Sequence, residues 1–186
     1  MARMTPPLQA LLPLLVITLT LSAVQEAQAL LTGDLDPPVR VASFNVRGYG
    51  MTKASKPEVL ANIAAILSRY DLVLVIETRD QSLVSLDMLR EELGEQQWDY
   101  VSSDPIGRTT YKEQYVFFYR PKVVTFVGDH KFKDTEDDFE REPYMAEFEY
   151  RSQFAGSEVK VTFIAAHLNP QSVVAEMQVG NGTTHW

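Results

Sequence analysis

An α/β domain is the fold class that the sequence predicts, with one mixed sheet that carries helices on one face. Two observations lead to this prediction. In the first half of the chain, apolar runs typical of strands alternate with runs of helical spacing, which is how a layered α/β domain begins. Beyond Trp98, strand-like runs follow one another without helices between them, which favours antiparallel pairing. The second face of such a sheet needs a partner layer.

The first half of the domain supplies two strand and helix pairs. The segment VRVASFNV, residues 39–46, is rich in β-branched and aromatic residues and predicts a strand, followed by a polar loop with two glycines. Ser55 and Glu58 then form a capping-box pair, and the apolar spacing behind them predicts a helix from about residue 56 to 69. The short apolar run at residues 72–76 predicts a strand covered on both faces. A second helix is marked by Leu83, Leu86, Leu89 and Leu93.

The second half supplies four successive strands separated by short turns and by one acidic loop, KDTEDDFEREP. A further helix is predicted to begin near Pro170. Because no helices separate these strands, we expect antiparallel neighbours. The strand segments are YKEQYVFFYR, KVVTFVG, YMAEFEY and EVKVTFIAAHL.

Residues 1–29 have the pattern of a cleaved secretory signal. Arg3 lies near the start, an apolar run extends over residues 10–24, and the small residues Ala27 and Ala29 close the segment. The apolar run is too short to span a bilayer comfortably, although an uncleaved signal anchor is the alternative. We therefore expect a secreted, extracellular protein with no membrane association.

Composition limits the classes of function. The 186 residues are 45% hydrophobic and carry a formal net charge of −8, so the chain suits one globular domain without a bulk positive potential. A polyanionic substrate would need a few placed arginines and bound cations. The chain has no cysteine and no closely spaced histidine pair, which excludes a zinc site of the common type. It also lacks a dinucleotide or P-loop fingerprint, so we expect no small-molecule cofactor.

Three polar residues stand where a predicted strand meets a loop: Asn45, Glu77 and His167. Ends of neighbouring strands lie close together in space, so polar residues at these ends are candidates for a functional site. Each also has a structural alternative. Asn45 could be a turn residue, Glu77 could pair with a nearby arginine, and His167 could be a satisfied structural histidine. If functional, His167 has a pKa range suited to proton donation near neutral pH.

Glu113 lies early in the segment YKEQYVFFYR and could orient His167 as its carboxylate partner. Strand alternation places Tyr111, Glu113 and Tyr115 on one face, so a solvated strand carboxylate is the alternative. Asparagine and carboxylate oxygens prefer hard cations, which makes Mg²⁺ or Ca²⁺ the consistent metal.

Five stretches stand in this order along the chain: VASFNVRGYG, RYDLVLVIETRD, SSDPIGRTTYKEQYVFFYRP, EREP and AAHLNPQSVVAEM. Together, and in this order, they resemble the deoxyribonuclease I family, within the endonuclease, exonuclease and phosphatase superfamily. This resemblance implies a four-layer α/β/β/α sandwich, secretion, and hydrolysis of double-stranded DNA with a divalent metal. It implies metal positions at Asn45 and Glu77, a catalytic histidine at His167 and an orienting carboxylate at Glu113. Positions implied to touch DNA are Arg47, Arg79, Arg108, Tyr111 and Arg141.

The matching stretches cover nearly all of residues 39–177, and the resemblance implies a partial domain at residues 30–177, the N-terminal half of such a domain. Residues 178–186 match nothing in the family pattern. The family continues with a Gly-Asp-Phe-Asn motif, a Ser-Asp-His motif with a second histidine, a disulfide and a second sheet. A smaller departure is Ile76, where the family usually has Gln, and Asn181 begins a weak glycosylation sequon.

We therefore expect a C-terminally truncated chain with an exposed sheet face and at most a trace of nuclease activity. The alternative is a non-catalytic isoform that binds DNA or a protein partner. A lipid or sugar phosphate substrate is a third possibility, which the matched arginines and GRTTYKEQYVFFYR disfavour.

Overall fold

Two β-sheets and their covering helices make up the part of the chain that this computed structural model describes, residues 38–152 and 157–179. Within those residues, no helix is both long and apolar enough to cross a membrane. The elements in chain order are β1 Val41–Tyr49, α1 Met51–Ala54, α2 Pro57–Leu67, β2 Leu72–Thr78, α3 Val84–Leu93, β3 Asp99–Ser102, β4 Gln114–Tyr119, β5 Thr125–Lys131, β6 Tyr144–Ser152, β7 Ser157–Ala165 and α4 Val173–Val179.

The first sheet is mixed, as predicted, with the strand order β1-β2-β4-β3. β1 and β2 are parallel, because α1 and α2 provide the crossover between them, and β4 is antiparallel to both β2 and β3. Every residue of β4 is buried. Its apolar run, YVFFY, is therefore typical of a central strand that is covered on both faces.

The second sheet is antiparallel, with the order β5-β6-β7. The expectation of one mixed sheet is therefore wrong in this respect: the last three strands leave the first sheet. The reason lies in β3, a short strand that the sequence pattern did not indicate. β3 pairs with β4 on the side opposite β2, so both edges of β4 are occupied and β5 cannot join it.

The core consists of two apolar clusters on opposite faces of the first sheet. One lies between that sheet and helices α1 to α3, and it includes Leu67, Leu89 and Trp98. The other joins the two sheets and is largely aromatic, with the Phe117 and Phe148 ring centroids 5.8 Å apart. The second sheet therefore covers the β4 part of the first sheet's second face, where Phe117 is buried, so the expected exposure of that face is wrong there. It holds at β1, where Val41 is 46% exposed.

Helix α2 begins at Pro57 without the predicted capping box. Its N-cap residue is Lys56, and no side chain caps the helix. Proline at the first helical position has a φ suited to a helix start, which accounts for the boundary. Ser55 lies at the end of α1, a one-turn helix with Ala54 buried, where the sequence indicated only a polar loop.

Candidate active site

The site begins where the parallel strands β1 and β2 reach their carboxyl ends. Asn45 is in register with Ile76, so Glu77 is one residue beyond its direct neighbour. The Asn45 amide Nδ2 donates to Glu77 Oε1 at 2.7 Å, and Asn45 Oδ1 accepts from the Arg47 backbone N–H at 2.8 Å. The two residues predicted to hold a metal are thus in direct contact.

Both strands are irregular at this level. The register of β1 shifts between Asn45 and Tyr49, and β2 has a register shift at its carboxyl end. Arg47 (φ 49°), Gly48 (φ 74°) and Glu77 (φ 63°) adopt left-handed backbone conformations. Such a conformation is unfavourable for residues other than glycine, and it concentrates at functional sites in proteins. The irregular backbone ends the regular alternation of side chains at the point where Asn45 and Glu77 meet.

Glu113 lies directly before β4, and its backbone forms an isolated bridge with Ile106. The side chain is buried with 4% exposure, so the alternative of a solvated strand carboxylate is wrong. Its Oε2 lies 3.0 Å from His167 Nδ1 and 2.8 Å from Arg141 Nε, while Oε1 lies 3.9 Å from Arg79 Nη2. Two guanidinium groups and an imidazole therefore compensate the buried carboxylate.

His167 lies in the loop that follows β7, and its backbone and ring are both held. Its backbone N–H donates to the Tyr115 hydroxyl at 2.6 Å. Burial raises the pKa of Tyr115, so the hydroxyl stays neutral and can accept this bond. With Nδ1 at Glu113, the other ring nitrogen, Nε2, lies 3.9 Å from Glu77 Oε1. The imidazole therefore bridges the Glu113 side of the site and the Asn45 and Glu77 side.

The five residues implied to touch DNA are placed differently. Arg141 and Arg79 both lie near Glu113, the carboxylate that contacts His167. Tyr111 packs on Arg79, with the arginine Cζ 3.5 Å from the ring centroid. The Arg47 side chain is exposed beside Asn45. Arg108 instead pairs with Asp137 in the acidic loop at 3.0 Å.

Two glycines of the GYG segment also shape the site, which the sequence pattern did not indicate. A Cβ added at Gly48 would lie 3.2 Å from Arg79 Cζ, and one at Gly50 would lie 3.1 Å from the Arg79 carbonyl oxygen. The Arg79 backbone N–H also donates to the Tyr49 carbonyl at 2.6 Å. The available signal was the two glycines directly after a strand, because glycine permits close backbone approach.

A divalent cation is compatible with the donors present, although within the described ranges no group of three or more acidic or histidine side chains converges as a metal cluster. Glu77 supplies a carboxylate. Asn45 turns its Nδ2 toward Glu77 and its Oδ1 toward the Arg47 N–H, so rotation of the amide would present its oxygen beside Glu77. Mg²⁺ is commonly held by one or two carboxylates and keeps several waters, so this donor pair fits it. Ca²⁺ takes six to eight oxygens and would need more from water or substrate. Asn181 and the predicted signal at residues 1–29 lie outside the described residues.

Curated relatives are similar in sequence to this chain over much of its length. It is 37% identical over 142 residues to deoxyribonuclease-1-like 2 of Mus musculus, covering 75% of this chain and 50% of that protein. It is 37% identical over 166 residues to deoxyribonuclease-1 of Homo sapiens, covering 84% and 57%. The chain spans about half the length of the curated relatives it matches. The predicted resemblance to the deoxyribonuclease I family is confirmed.

Solved structures confirm the fold class. A mannosyl-6-phosphatase from Bacteroides thetaiotaomicron superposes with a TM-score of 0.53 at 18% identity, covering 77% of this chain and 58% of that chain. At this identity the similarity concerns the fold alone. The model of the endonuclease/exonuclease/phosphatase family matches residues 42–174, which is most of the sequence. The chain belongs to the endonuclease/exonuclease/phosphatase family.

Proposed function

We propose that this site hydrolyses phosphodiester bonds of double-stranded DNA, as an endonuclease that uses a divalent cation. The observation that carries the proposal is the Glu113 and His167 pair, 3.0 Å apart, whose free ring nitrogen faces Glu77 at 3.9 Å. The buried carboxylate of Glu113 orients the histidine for proton transfer. The second carboxylate, that of Glu77, faces the same ring and can bind a cation. The deoxyribonucleases among the relatives support DNA as the substrate.

His167 transfers the proton in this reaction. The His167 Nδ1–H donates a hydrogen bond to Glu113, which orients the ring, so Nε2 is the nitrogen that faces the reacting phosphate. As water adds to phosphorus and the P–O bond to the leaving oxygen breaks, protonated Nε2 donates its proton to that oxygen. The attacking water releases its proton to solvent, and solvent returns a proton to His167 for the next turnover. General acid catalysis of this kind contributes about 10² to 10⁴ in rate.

The arginines bind and stabilise the phosphate. Arg79 and Arg141 converge near Glu113, and the exposed Arg47 adjoins Asn45. Guanidinium groups in fixed positions stabilise charge that develops on the phosphate oxygens. On a protein with a net charge of −8, such local contacts would hold the DNA backbone with little base specificity.

Asn45 and Glu77 would hold the cation, with Mg²⁺ as the better fit and Ca²⁺ as a second candidate. A bound divalent cation supplies Lewis-acid polarisation of a phosphoryl oxygen. The direct Asn45 and Glu77 contact, 2.7 Å long, keeps both oxygen-bearing side chains at the same strand ends.

A plasmid-nicking assay with the 186-residue chain tests the proposed reaction. We expect slow nicking in Mg²⁺, because His130, the other histidine in the described part of the chain, lies on β5 and leaves the site with one proton-transfer histidine. A chelator should abolish the nicking, and added Mg²⁺ should restore it. Nicking that persists in chelator contradicts the metal requirement. DNA binding without any cleavage, or hydrolysis of mannose 6-phosphate with DNA left intact, contradicts the proposed reaction.

Secretion is part of the same proposal and rests on the signal-like pattern of residues 1–29. When the chain is expressed in cultured cells, we expect it in the medium with a mature N-terminus near Leu30. Retention in the cell with an intact N-terminus would contradict secretion.

A further inference from the structure

Glu176 on helix α4 is buried to 2% exposure, while its apolar helix neighbours Val174 and Met177 are 67% and 64% exposed. This burial is the reverse of what an amphipathic helix would show. A buried carboxylate needs compensating hydrogen bonds or charges, because its desolvation is costly. The inverted burial therefore indicates that the carboxylate itself has a structural task.

The carboxylate of Glu176 joins two chain segments that are distant in sequence. Its Oε2 accepts from the Asn169 backbone N–H at 3.0 Å, and its Oε1 accepts from the Glu140 backbone N–H at 3.4 Å. The Ser172 hydroxyl also donates to Oε1, at 2.9 Å. Glu176 thus ties the loop after β7 to the loop before β6.

Each of these segments delivers one partner of Glu113. Asn169 is two residues from His167, and Glu140 is the neighbour of Arg141. His167 Nδ1 and Arg141 Nε both end at Glu113 Oε2, at 3.0 Å and 2.8 Å. Glu176 touches none of these three side chains in the contacts described, so it acts on them through the backbone.

We propose that Glu176 is a positioning residue, which holds the His167 and Arg141 segments together so that both side chains reach one oxygen of Glu113. Both carboxylate oxygens accept a backbone N–H, Oε2 from Asn169 and Oε1 from Glu140. A glutamine would keep one acceptor oxygen and replace the other with a donor, so it would hold one segment and repel the other N–H. The residue therefore supports the proposed reaction without contacting substrate.

Two variants and a control separate positioning from general stability. E176Q changes one acceptor at nearly constant shape, and E176D keeps the charge on a shorter side chain. S172A is the matched control, because it removes a bond to the same carboxylate and leaves the Asn169 and Glu140 contacts in place. Thermal melting of each full-length variant reports the global fold.

The first readout is the ¹H–¹⁵N NMR signal of the His167 Nδ1 proton, assigned by its loss in H167Q. Hydrogen bonding to Glu113 shifts this proton downfield and slows its exchange with water. We expect E176Q to broaden or lose the signal at a melting temperature close to that of S172A, while S172A retains it. This readout requires no catalysis, so it stands even if the proposed nuclease function fails.

The second readout rests on the proposed function: E176Q should lower the nicking kcat about tenfold, as loss of a group supporting site residues commonly does, with KM for DNA little changed. An unchanged Nδ1 signal in both E176Q and E176D overturns the proposal. Loss of the signal only together with the fold, in both variants, also overturns it, because the role would then be global stability.

Discussion

The two ends of strands β1 and β2 each bear a cluster of carboxylates and arginines, but only one has the features of an active site. At the amino end, Asp71 pairs with Arg40 and Arg120. At the carboxyl end, Glu77 and Glu113 meet Arg79, Arg141 and His167. The charged residue types are largely the same, so composition alone does not distinguish an ion cluster from a catalytic one.

The amino-end cluster is satisfied by its own members on a regular backbone. Asp71 Oδ2 accepts from the Arg40 backbone N–H at 2.8 Å and from its Nε at 3.2 Å, while Oδ1 lies 3.7 Å from Arg120 Nε. Burial by itself would raise the pKa of Asp71, but the hydrogen bonds and charge of Arg40, together with Arg120, hold it below its ordinary value.

The carboxyl-end cluster differs in its irregular backbone and in having a histidine nitrogen that Glu113 does not occupy. Arg47, Gly48 and Glu77 are left-handed, and the register of β1 breaks here after an unbroken run from Val41 to Asn45. Glu113 occupies one nitrogen of His167 and leaves the other directed at Glu77. The two ends thus differ in backbone strain and in a half-engaged histidine rather than in charge density, and these two features distinguish the end that we propose as the active site.

The largest expected effect follows from His167→Gln. It removes the proton-transfer group at nearly constant volume, so nicking should fall by about 10² to 10⁴. The melting temperature and DNA affinity should change little, because Glu113 retains its two arginines. His130→Gln on β5 is the matched control and should cut at the wild-type rate. Wild-type nicking by His167→Gln would move catalysis away from this end of the strands.

Asp71→Asn tests the amino-end cluster, which we expect to stabilise the fold without a part in cleavage. Loss of charged hydrogen bonds to Arg40 should cost about 1.5–3 kcal/mol in the free energy of unfolding at neutral pH. Nicking should stay within twofold of wild type below the melting temperature. Urea unfolding measures the stability, with Glu92→Gln, an exposed carboxylate on α3, as the control. A stable Asp71→Asn variant that does not cut would show that the two ends are not separable.

The pH dependence of the difference in unfolding free energy between wild type and Asp71→Asn tests whether the Asp71 carboxylate is its source. Because the pKa of Asp71 is lower in the folded protein, its contribution is present above the unfolded value of about 3.9 and is lost as pH falls through the folded value. The gap between wild type and Asp71→Asn should therefore be constant near neutral pH and should shrink below about pH 4. A gap that closes between pH 6 and 8 would assign the stability to another group.

Gly48→Ala should have the smallest effect, a reduction of nicking by a few fold. The new Cβ would lie 3.2 Å from Arg79 Cζ and displace the guanidinium, and the left-handed φ of 74° would add about 1 kcal/mol of strain. Gly128→Ala on β5 is the control, because a Cβ there meets nothing within 4 Å. Equal rates for the two variants would mean that the position of Arg79 is not critical.

Much of this arrangement could be predicted from local pattern. Strand ends identified Asn45, Glu77 and His167 as candidates, because polar residues directly after apolar runs lie at sheet edges. The division into two sheets could not be predicted, since it depends on β3 occupying one edge of β4. The burial of Glu176 could not be predicted either, because an amphipathic helix would be expected to bury its apolar residues Val174 and Met177 and to expose Glu176. In both cases long-range packing overrides the local pattern.

The most direct test of the account measures Asp71→Asn and His167→Gln side by side, for unfolding free energy and for nicking rate in Mg²⁺. We predict that the effects cross: Asp71→Asn loses stability and keeps cleavage, whereas His167→Gln keeps stability and loses cleavage. Parallel losses of stability and cleavage in both variants would contradict the claim that one end of these strands maintains the fold and the other performs the chemistry.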